Sequence, residues 1–241
     1  MNIARRHLVT CPSTNDYLFE HMTVNQPLAV WTNDQPHGRG SRGRSWSCPK
    51  GYGLAMSIGF SSKFASLPTP YPLTLLAGTL IAETLNHPNL MLRWPNDLVA
   101  PGGKLCGILC ESRWRGSEAR TVIGIGINMR HSQSLPEQVS NLQDIGIELE
   151  PDKLFDSLVT AFEHTLLDLP PANRVIQRWS TWSHLHSGTE IRLSTDHLIY
   201  TVVDILPGGQ LSLSRHGVSR ILDEHDSSIQ LIKEPHHAFG H

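Results

Sequence analysis

The chain has 241 residues, of which 39% are hydrophobic and 17% charged, and its formal net charge is −2. These values are typical of a globular protein with one large domain, or one medium and one small, and they argue against a strongly basic nucleic-acid binder. Four cysteines are too few for a disulfide framework, no secretory signal is visible, and no apolar run approaches the roughly 18 residues that span a bilayer. We therefore expect a cytoplasmic protein with no membrane segment.

The first 130 residues carry alternating helix and strand signals. Ser13 is a predicted N-cap, with Asp16 three residues on, so a helix should begin there. The other elements predicted in this half are strands at 28–32 and 53–60, a buried helix at 71–86, a strand at 91–94, turns at 95–97 and 101–103, and strands at 104–111 and 122–129.

The pattern changes at Pro151. Apolar residues at helical spacing predict an amphipathic helix from Pro151 to Leu166, and Val175 to Trp182 suggests another. Short β-like runs follow at 189–194, 198–206, 210–214, 217–222 and 228–232, which is the rhythm of a small β-barrel. We expect a first domain over 1–184, a small C-terminal domain over 185–235 and a tail over 236–241.

The stretch from Gln35 to Trp46 is rich in glycine and arginine. Glycine lets backbone N–H groups approach a ligand and guanidinium groups bind carboxylate or phosphate, so the stretch predicts an anion site, although a solvated surface turn fits the arginines equally well. The spacing Gly38-x-Gly40-x-x-Gly43 also matches a dinucleotide-binding pattern. That reading fails because serines, a proline and glycines follow, where a Rossmann fingerprint must open a helix.

Two later stretches of the sequence also place glycines or charged residues within apolar runs. Arg93-Trp94-Pro95-Asn96-Asp97 is followed by Lys104-Leu105-Cys106-Gly107-Ile108-Leu109, and Gly124-Ile125-Gly126-Ile127-Asn128 places glycines inside a β-branched run, which implies close approach by a neighbour or ligand. With Ser13-Thr14-Asn15 and the glycine-arginine stretch, these motifs resemble the biotin protein ligase family over about residues 13–130. The resemblance implies an α+β fold: a mixed β-sheet flanked by helices, like the catalytic domain of class II aminoacyl-tRNA synthetases, with a small SH3-like C-terminal barrel.

The resemblance also implies a function. The first domain would bind biotin and ATP, form biotinyl-AMP and pyrophosphate with Mg²⁺, and transfer the acyl group to one lysine of a biotin carboxyl carrier protein. The resemblance also makes a homodimer a possible assembly. Because only 12 residues precede Ser13, the DNA-binding domain of some relatives is expected to be absent, so neither DNA nor a membrane is an expected partner.

Site residues follow from the motif positions. Arg39, Lys104 and Asp97 would be catalytic. Asp97 would orient the incoming lysine or the reactive carboxyl group, or act as a general base. No metal ion is expected to be held by side chains. The implied biotin-binding residues are Ser13, Thr14, Asn15, Gln35, Gly38, Arg39, Lys104 and Gly107. The implied nucleotide-binding residues are Arg39, Arg42, Arg44, Trp46, Arg93, Asn96 and Asn128. Taken singly, Ser13 fits a helix cap, Gly107 a turn, Trp46 a core residue and Asn128 a strand end.

Three positions depart from the family pattern. Ser41 replaces the second arginine of the loop, which predicts easier escape of biotinyl-AMP, and Arg93 replaces a lysine. The segment 225–228 lacks the glycine of the family's C-terminal motif. The alternatives left open are a lipoate or octanoate ligase or transferase, and a biotin-binding module without catalysis.

Overall fold

The computed structural model describes residues 2–132, 139–223, 226 and 229–232. Over these residues the chain forms fourteen strands and four helices. The strands are β1 (Ala4–His7), β2 (Leu28–Thr32), β3 (Gln35–Arg39), β4 (Ser45–Cys48), β5 (Gly53–Ser61), β6 (Met91–Arg93), β7 (Asp97–Ala100), β8 (Gly103–Arg115), β9 (Glu118–Asn128), β10 (Glu190–Leu193), β11 (Ile199–Ile205), β12 (Leu211–Arg215), β13 (Val218–Leu222) and β14 (Ile229–Leu231). The helices are α1 (Thr14–His21), α2 (Leu73–Leu85), α3 (Pro151–Leu167) and α4 (Ala172–Ser180).

A seven-stranded mixed sheet forms the centre of the molecule. Its order is β1-β2-β5-β9-β8-β7-β6, with β1 parallel to β2 and the other neighbours antiparallel. Because strand residues alternate between faces, Val30 and Val122 pack in the cluster around α1, while Ala29 and Ile123 belong to the larger core on the other face. The predicted α+β fold with a mixed sheet is confirmed.

The helices are placed by their apolar residues. In α2 every residue from Leu73 to Ala82 is buried, as predicted for a helix that is apolar nearly all round. In α3, Pro151 stands in the first turn, and Leu154, Leu158 and Phe162 are fully buried at the expected spacing.

The five strands after residue 189 form a second sheet. It is antiparallel throughout, in the order β13-β12-β11-β10-β14, so the predicted run of short strands is confirmed, while the described strand pairs leave β13 and β14 at the edges and close no barrel. The indole N–H of Trp94 donates to the carbonyl of Gly209, at 2.9 Å, and joins this sheet to the first. In the segment 225–228, which differs from the family's C-terminal motif, Asp226 is the one described residue. The predicted tail 236–241 lies outside the described residues.

The sequence missed four strands, β1, β3, β4 and β7. The stretch we expected to be a loop between two strands is a hairpin, in which Gln35 pairs with Cys48 and Gly38 with Trp46, around a one-turn 3-10 helix over Ser41–Gly43. Glycine and proline, which both occur in β3, are poor strand formers, so the pairing is imposed by the surroundings and not by local propensity. Asp97, predicted to lie in a turn, is the first residue of β7.

Candidate functional site

Three glycines form a trough on the α1 face of the central sheet. Gly107 lies opposite Gly126 in the register of β8 and β9, with Gly124 two residues before Gly126. A Cβ built on Gly126 would lie 2.2 Å from the indole of Trp46, and one on Gly124 would lie 2.3 Å from Oδ1 of Asn15. The predicted close approach at these glycines is confirmed, and the approaching groups are side chains of the hairpin and of α1.

The hairpin β3–β4 covers this trough. Gly38 is required within the hairpin, because a Cβ there would lie 2.3 Å from Nε2 of Gln35 and 2.4 Å from the carbonyl oxygen of Trp46. At the tip, Arg42 has a φ of 59° and Gly43 a φ of 71°, both in the left-handed region that closes the turn. A cavity of about 360 Å³ lies between hairpin and sheet.

Most of the predicted site residues line this one cavity. Those that line it are Ser13, Thr14, Asn15, Gln35, Arg39, Arg44, Trp46, Asn96, Lys104, Gly107 and Asn128. Gly38, Arg42, Arg93 and Asp97 do not line it. Residues as far apart in the sequence as Ser13 and Asn128, 115 positions, therefore converge on one site.

Buried amide and hydroxyl groups form part of the cavity lining. Oε1 of Gln35 accepts from the backbone N–H of Thr14 at 2.8 Å and lies 3.1 Å from the Thr14 hydroxyl. Ser57 Oγ lies 2.7 Å from that same hydroxyl. Ser13 both lines the cavity and caps α1, since its Oγ accepts from the N–H of Asp16 at 3.3 Å.

Lys104 is held by a carboxylate just outside the cavity. Its Nζ lies 2.5 Å from Oδ1 of Asp97, and Oδ2 of Asp97 accepts from Arg93 at 2.8 Å. The Lys104 ammonium also lies 5.4 Å from the ring centroid of Trp46. Asp97 thus bridges two cations, and its contacts fit an orienter of Lys104 better than a general base.

Arg39 lies between two carboxylates. It donates to Glu111 through Nη1 and Nη2, both at 3.0 Å, and to Asp16 through Nη2 at 2.8 Å and Nε at 3.3 Å. The hydrogen bonds that Arg39 donates to Glu111, followed by the charges of both carboxylates, raise the pKa of the Arg39 guanidinium above its usual range. Arg39 therefore remains charged and fixed in direction.

Arg44 is arranged around Ser41. It donates to the Ser41 carbonyl through Nε at 3.3 Å and to the Ser41 hydroxyl through Nη2 at 3.1 Å. Asn96 donates to the carbonyl of Ile108 at 2.8 Å and lies 3.4 Å from the same hydroxyl. Ser41 therefore holds a guanidinium at the cavity wall where the family pattern has an arginine of its own.

Asn128, a predicted nucleotide-binding residue, lines the cavity and is also bound to the backbone. Its side-chain amide nitrogen donates to the backbone carbonyls of Lys104, at 3.2 Å, and of Ser140, at 3.1 Å. Both amide hydrogens are thus committed to the protein, so donation to an adenine edge would break one of these bonds. Asn128 fixes the backbone of Lys104 in this structure.

The motif analysis overlooked Glu111 and Ser57. Ser57 is a polar residue in β5, where every residue is buried, and this interruption of an apolar strand is a signal that the sequence offered. Glu111 is four residues past Gly107 on β8, so its side chain points to the same face as the trough. No motif singles it out.

The thiols of Cys48 and Cys106 are buried, and neither residue lines the cavity. Burial raises the pKa of Cys48 to about 12 and raises that of Cys106 above its usual range, so both remain protonated at neutral pH. Within the described part of the chain, no three His, Cys, Asp or Glu side chains converge as a metal site would require, and no helix is both long and apolar enough to cross a bilayer.

The mixed sheet carries a covered cavity whose lining combines amide and hydroxyl groups with the cations Arg39 and Lys104, and this combination suits a domain that binds an anionic small molecule. The chain belongs to the Biotin/lipoate A/B protein ligase family, whose model matches residues 8–128.

Individual relatives agree with this assignment. The chain is 35% identical to the bifunctional ligase/repressor BirA of Escherichia coli over 157 residues, which cover 61% of this chain and 48% of that protein. It is 26% identical over 201 residues to the biotin–[acetyl-CoA-carboxylase] ligase of Mycobacterium tuberculosis, covering 79% and 68%. The chain thus spans about half the length of the first of these curated relatives.

A solved structure shares the fold. The biotin protein ligase from Aquifex aeolicus, in complex with biotin and ATP, superposes with a TM-score of 0.72 at 19% identity, covering 96% of this chain and 98% of that one.

Proposed function

We propose that this chain activates biotin with ATP to biotinyl-AMP and transfers the biotinyl group to a lysine of a biotin carboxyl carrier protein. The observation that carries the proposal is the single cavity that joins the amide and hydroxyl groups of Gln35 and Thr14 to Arg39 and Lys104 beneath Trp46. A buried ureido ring presents two N–H donors and a carbonyl, and each requires a partner. The names of the relatives support the same substrates.

The first step joins two anions. A carboxylate oxygen of biotin attacks the α-phosphorus of ATP, the bond from that phosphorus to the bridging oxygen breaks, and pyrophosphate leaves with the electron pair. Arg39 and Lys104, each held by carboxylates, would orient the reacting oxygens with little reorganisation. Arg44, which is held by Ser41, would contact the leaving phosphates.

Mg²⁺ belongs to this proposal as a companion of ATP. Since the described residues contain no cluster of metal-binding side chains, the ion would enter on the phosphates and supply positive charge there. In the second step the lysine ε-amine attacks the acyl carbon, AMP leaves with the oxygen that linked it, and the amine loses its proton to solvent or a nearby base.

The division of the chain is part of the same proposal. All strands of the seven-stranded sheet end by Asn128 and all strands of the second sheet begin after residue 189, which supports a ligand-binding domain over 1–184 and a small domain over 185–235. A cytoplasmic location and a homodimer stay predictions.

Exchange of labelled pyrophosphate into ATP tests the activation step. We expect exchange that depends on biotin, followed by labelling of a purified carrier domain. Exchange that depends on lipoate or octanoate would select the other acids that the family name covers, and tight biotin binding without exchange would select a binding module. The amide of Gln35 favours biotin, because an aliphatic acid offers it no partner in the cavity.

A further inference from the structure

Glu111 links the core of the sheet to the cavity. It lies on β8 opposite Val122, on the face that carries α1 and the trough, and its side chain is 22% exposed. Its two carboxylate oxygens accept three hydrogen bonds: one from each terminal nitrogen of Arg39, at 3.0 Å, and one from Nδ2 of Asn15 at 2.7 Å. A single carboxylate therefore fixes two residues that line the cavity.

The Asn15 amide is fully engaged by the protein. Its Oδ1 accepts from Ser57 Oγ at 2.6 Å, and its Nδ2 donates to Glu111 and, more weakly, to the carbonyl of Leu109 at 3.4 Å. The glycine at 124 leaves room for this side chain on the sheet. Asn15, which is 5% exposed, is therefore better suited to orienting Glu111 than to binding a ligand.

Arg39 has little freedom once these bonds are made. Of its five N–H groups, one on Nε and two on Nη2 point to Asp16 and Glu111, and one on Nη1 points to Glu111. Within the described residues, the remaining Nη1 hydrogen is the one left for a ligand in the cavity that Arg39 lines.

We infer that Glu111 is a positioning residue: it holds the Arg39 guanidinium in the orientation that receives the biotin carboxylate, and it is itself held by Asn15 and Ser57. The inference rests on the proposed function. In a purely structural role, loss of Glu111 would not change the affinity for biotin through Arg39, whereas a positioning role predicts this change. In a third role, the Glu111 carboxylate would keep Arg39 away from the ligand, and removal of its charge would then tighten biotin binding.

The test uses Glu111→Gln, with Glu20→Gln as the control, because Glu20 is an exposed carboxylate of α1 with no described contact to Arg39. Asp16→Asn is a comparison, since Asp16 also accepts from Arg39 but is 43% exposed and has no described contact with Asn15. In the exchange assay we expect Glu111→Gln to raise the biotin KM at least tenfold while the ATP KM changes less than twofold. We expect Glu20→Gln to change neither KM by more than twofold, and Asp16→Asn to raise the biotin KM by less than Glu111→Gln does. In an Arg39→Gln background, Glu111→Gln should have no further effect, whereas Glu111→Asp in the parent should retain part of the affinity.

A biotin KM that is unchanged or lower in Glu111→Gln overturns the inference, as does an equal rise in both KM values or full additivity with Arg39→Gln. Thermal unfolding of each variant separates loss of fold from loss of positioning, and Glu111→Asp serves if Glu111→Gln does not fold. Absence of biotin-dependent exchange in the parent protein refutes the proposed function itself, while exchange in the parent with a normal biotin KM in Glu111→Gln refutes this inference alone.

Discussion

Substitution of Gly126 by alanine tests how the cavity is covered. The new methyl would lie 2.2 Å from Cε2 and Nε1 of Trp46, where carbon atoms in contact stand about 3.5 to 4.0 Å apart, so the indole must move by more than 1 Å. Overpacking of this kind costs about 1–3 kcal/mol. Without the clash, alanine should stabilise a strand by about 0.5–1 kcal/mol relative to glycine. Gly126→Ala should therefore destabilise the protein, raise the KM for ATP and leave the fold intact.

The same numbers predict a reversal of sign when the indole is removed. In a Trp46→Ala background, Gly126→Ala should become neutral or stabilising, so the coupling free energy between the two positions should be about 1.5–4 kcal/mol, the sum of the two terms. Urea unfolding of the four proteins measures it. Gly59→Ala is the control, since its methyl would meet the flexible side chains of Met22 and Leu18 at 3.0 and 3.2 Å on the same face. Equal destabilisation by Gly126→Ala with and without Trp46 would refute the reasoning.

Four further experiments have expected outcomes. Lys104→Gln should lower the rate of biotin-dependent exchange by about 10²–10³-fold because it removes one oriented charge, while Lys104→Arg should lose less; stopped assays at saturating ATP measure both. Ser41→Arg should reduce acceptor-independent labelling of bystander lysines by about 10–100-fold if retention of the adenylate lacks one charge-assisted hydrogen bond, and equal labelling would contradict this. Cys48 should resist thiol reagents at pH 8 until the protein unfolds, because a pKa of about 12 leaves a thiolate fraction of about 10⁻⁴, and mass spectrometry locates the label. The hydrogen bond from the backbone N–H of Leu198, with further hydrogen bonds, lowers the pKa of Asp196 in the folded protein. The ionised carboxylate therefore stabilises the fold above its unfolded pKa, and this stabilisation is lost as pH falls through the folded pKa. Asp196→Asn should make the free energy of unfolding less dependent on pH below about pH 4, and an unchanged dependence there would count against the prediction.

The sequence was most informative where a local rule and the tertiary structure agree. The N-cap at Ser13 and the proline at the start of α3 are local signals, and both helices begin where predicted. The glycines at 124 and 126 signalled a close approach without saying what approaches, because a missing side chain leaves no trace of its neighbour. The hairpin β3–β4 could not be predicted, since its strands are held by Gly38 and Trp46 and by the sheet beneath, and not by their own propensity.

The charged motif residues are oriented by carboxylates, of which Glu111 lies outside the motifs and Asp97 lies within one. Glu111 was overlooked because a glutamate near the exposed end of a long strand has no distinctive pattern, and its importance comes from pairing with a residue 72 positions away. Asp97 was noticed, but its role as the partner of Lys104 depends on a register between β7 and β8 that only the structure gives.

These pairings decide how the cavity binds anions. Arg39 and Arg113 with Asp16 and Glu111 sum to 0, and Lys104 and Arg93 with Asp97 sum to +1. Arg44, which lines the cavity, adds one further positive charge. The net charge is therefore small beside the number of charged groups, and binding depends strongly on N–H donors that carboxylate partners fix in direction. Such donors need no reorganisation when charge develops, which is the condition under which they stabilise a transition state most. In the proposed reaction, Mg²⁺ bound to ATP would add further positive charge where the two anions meet.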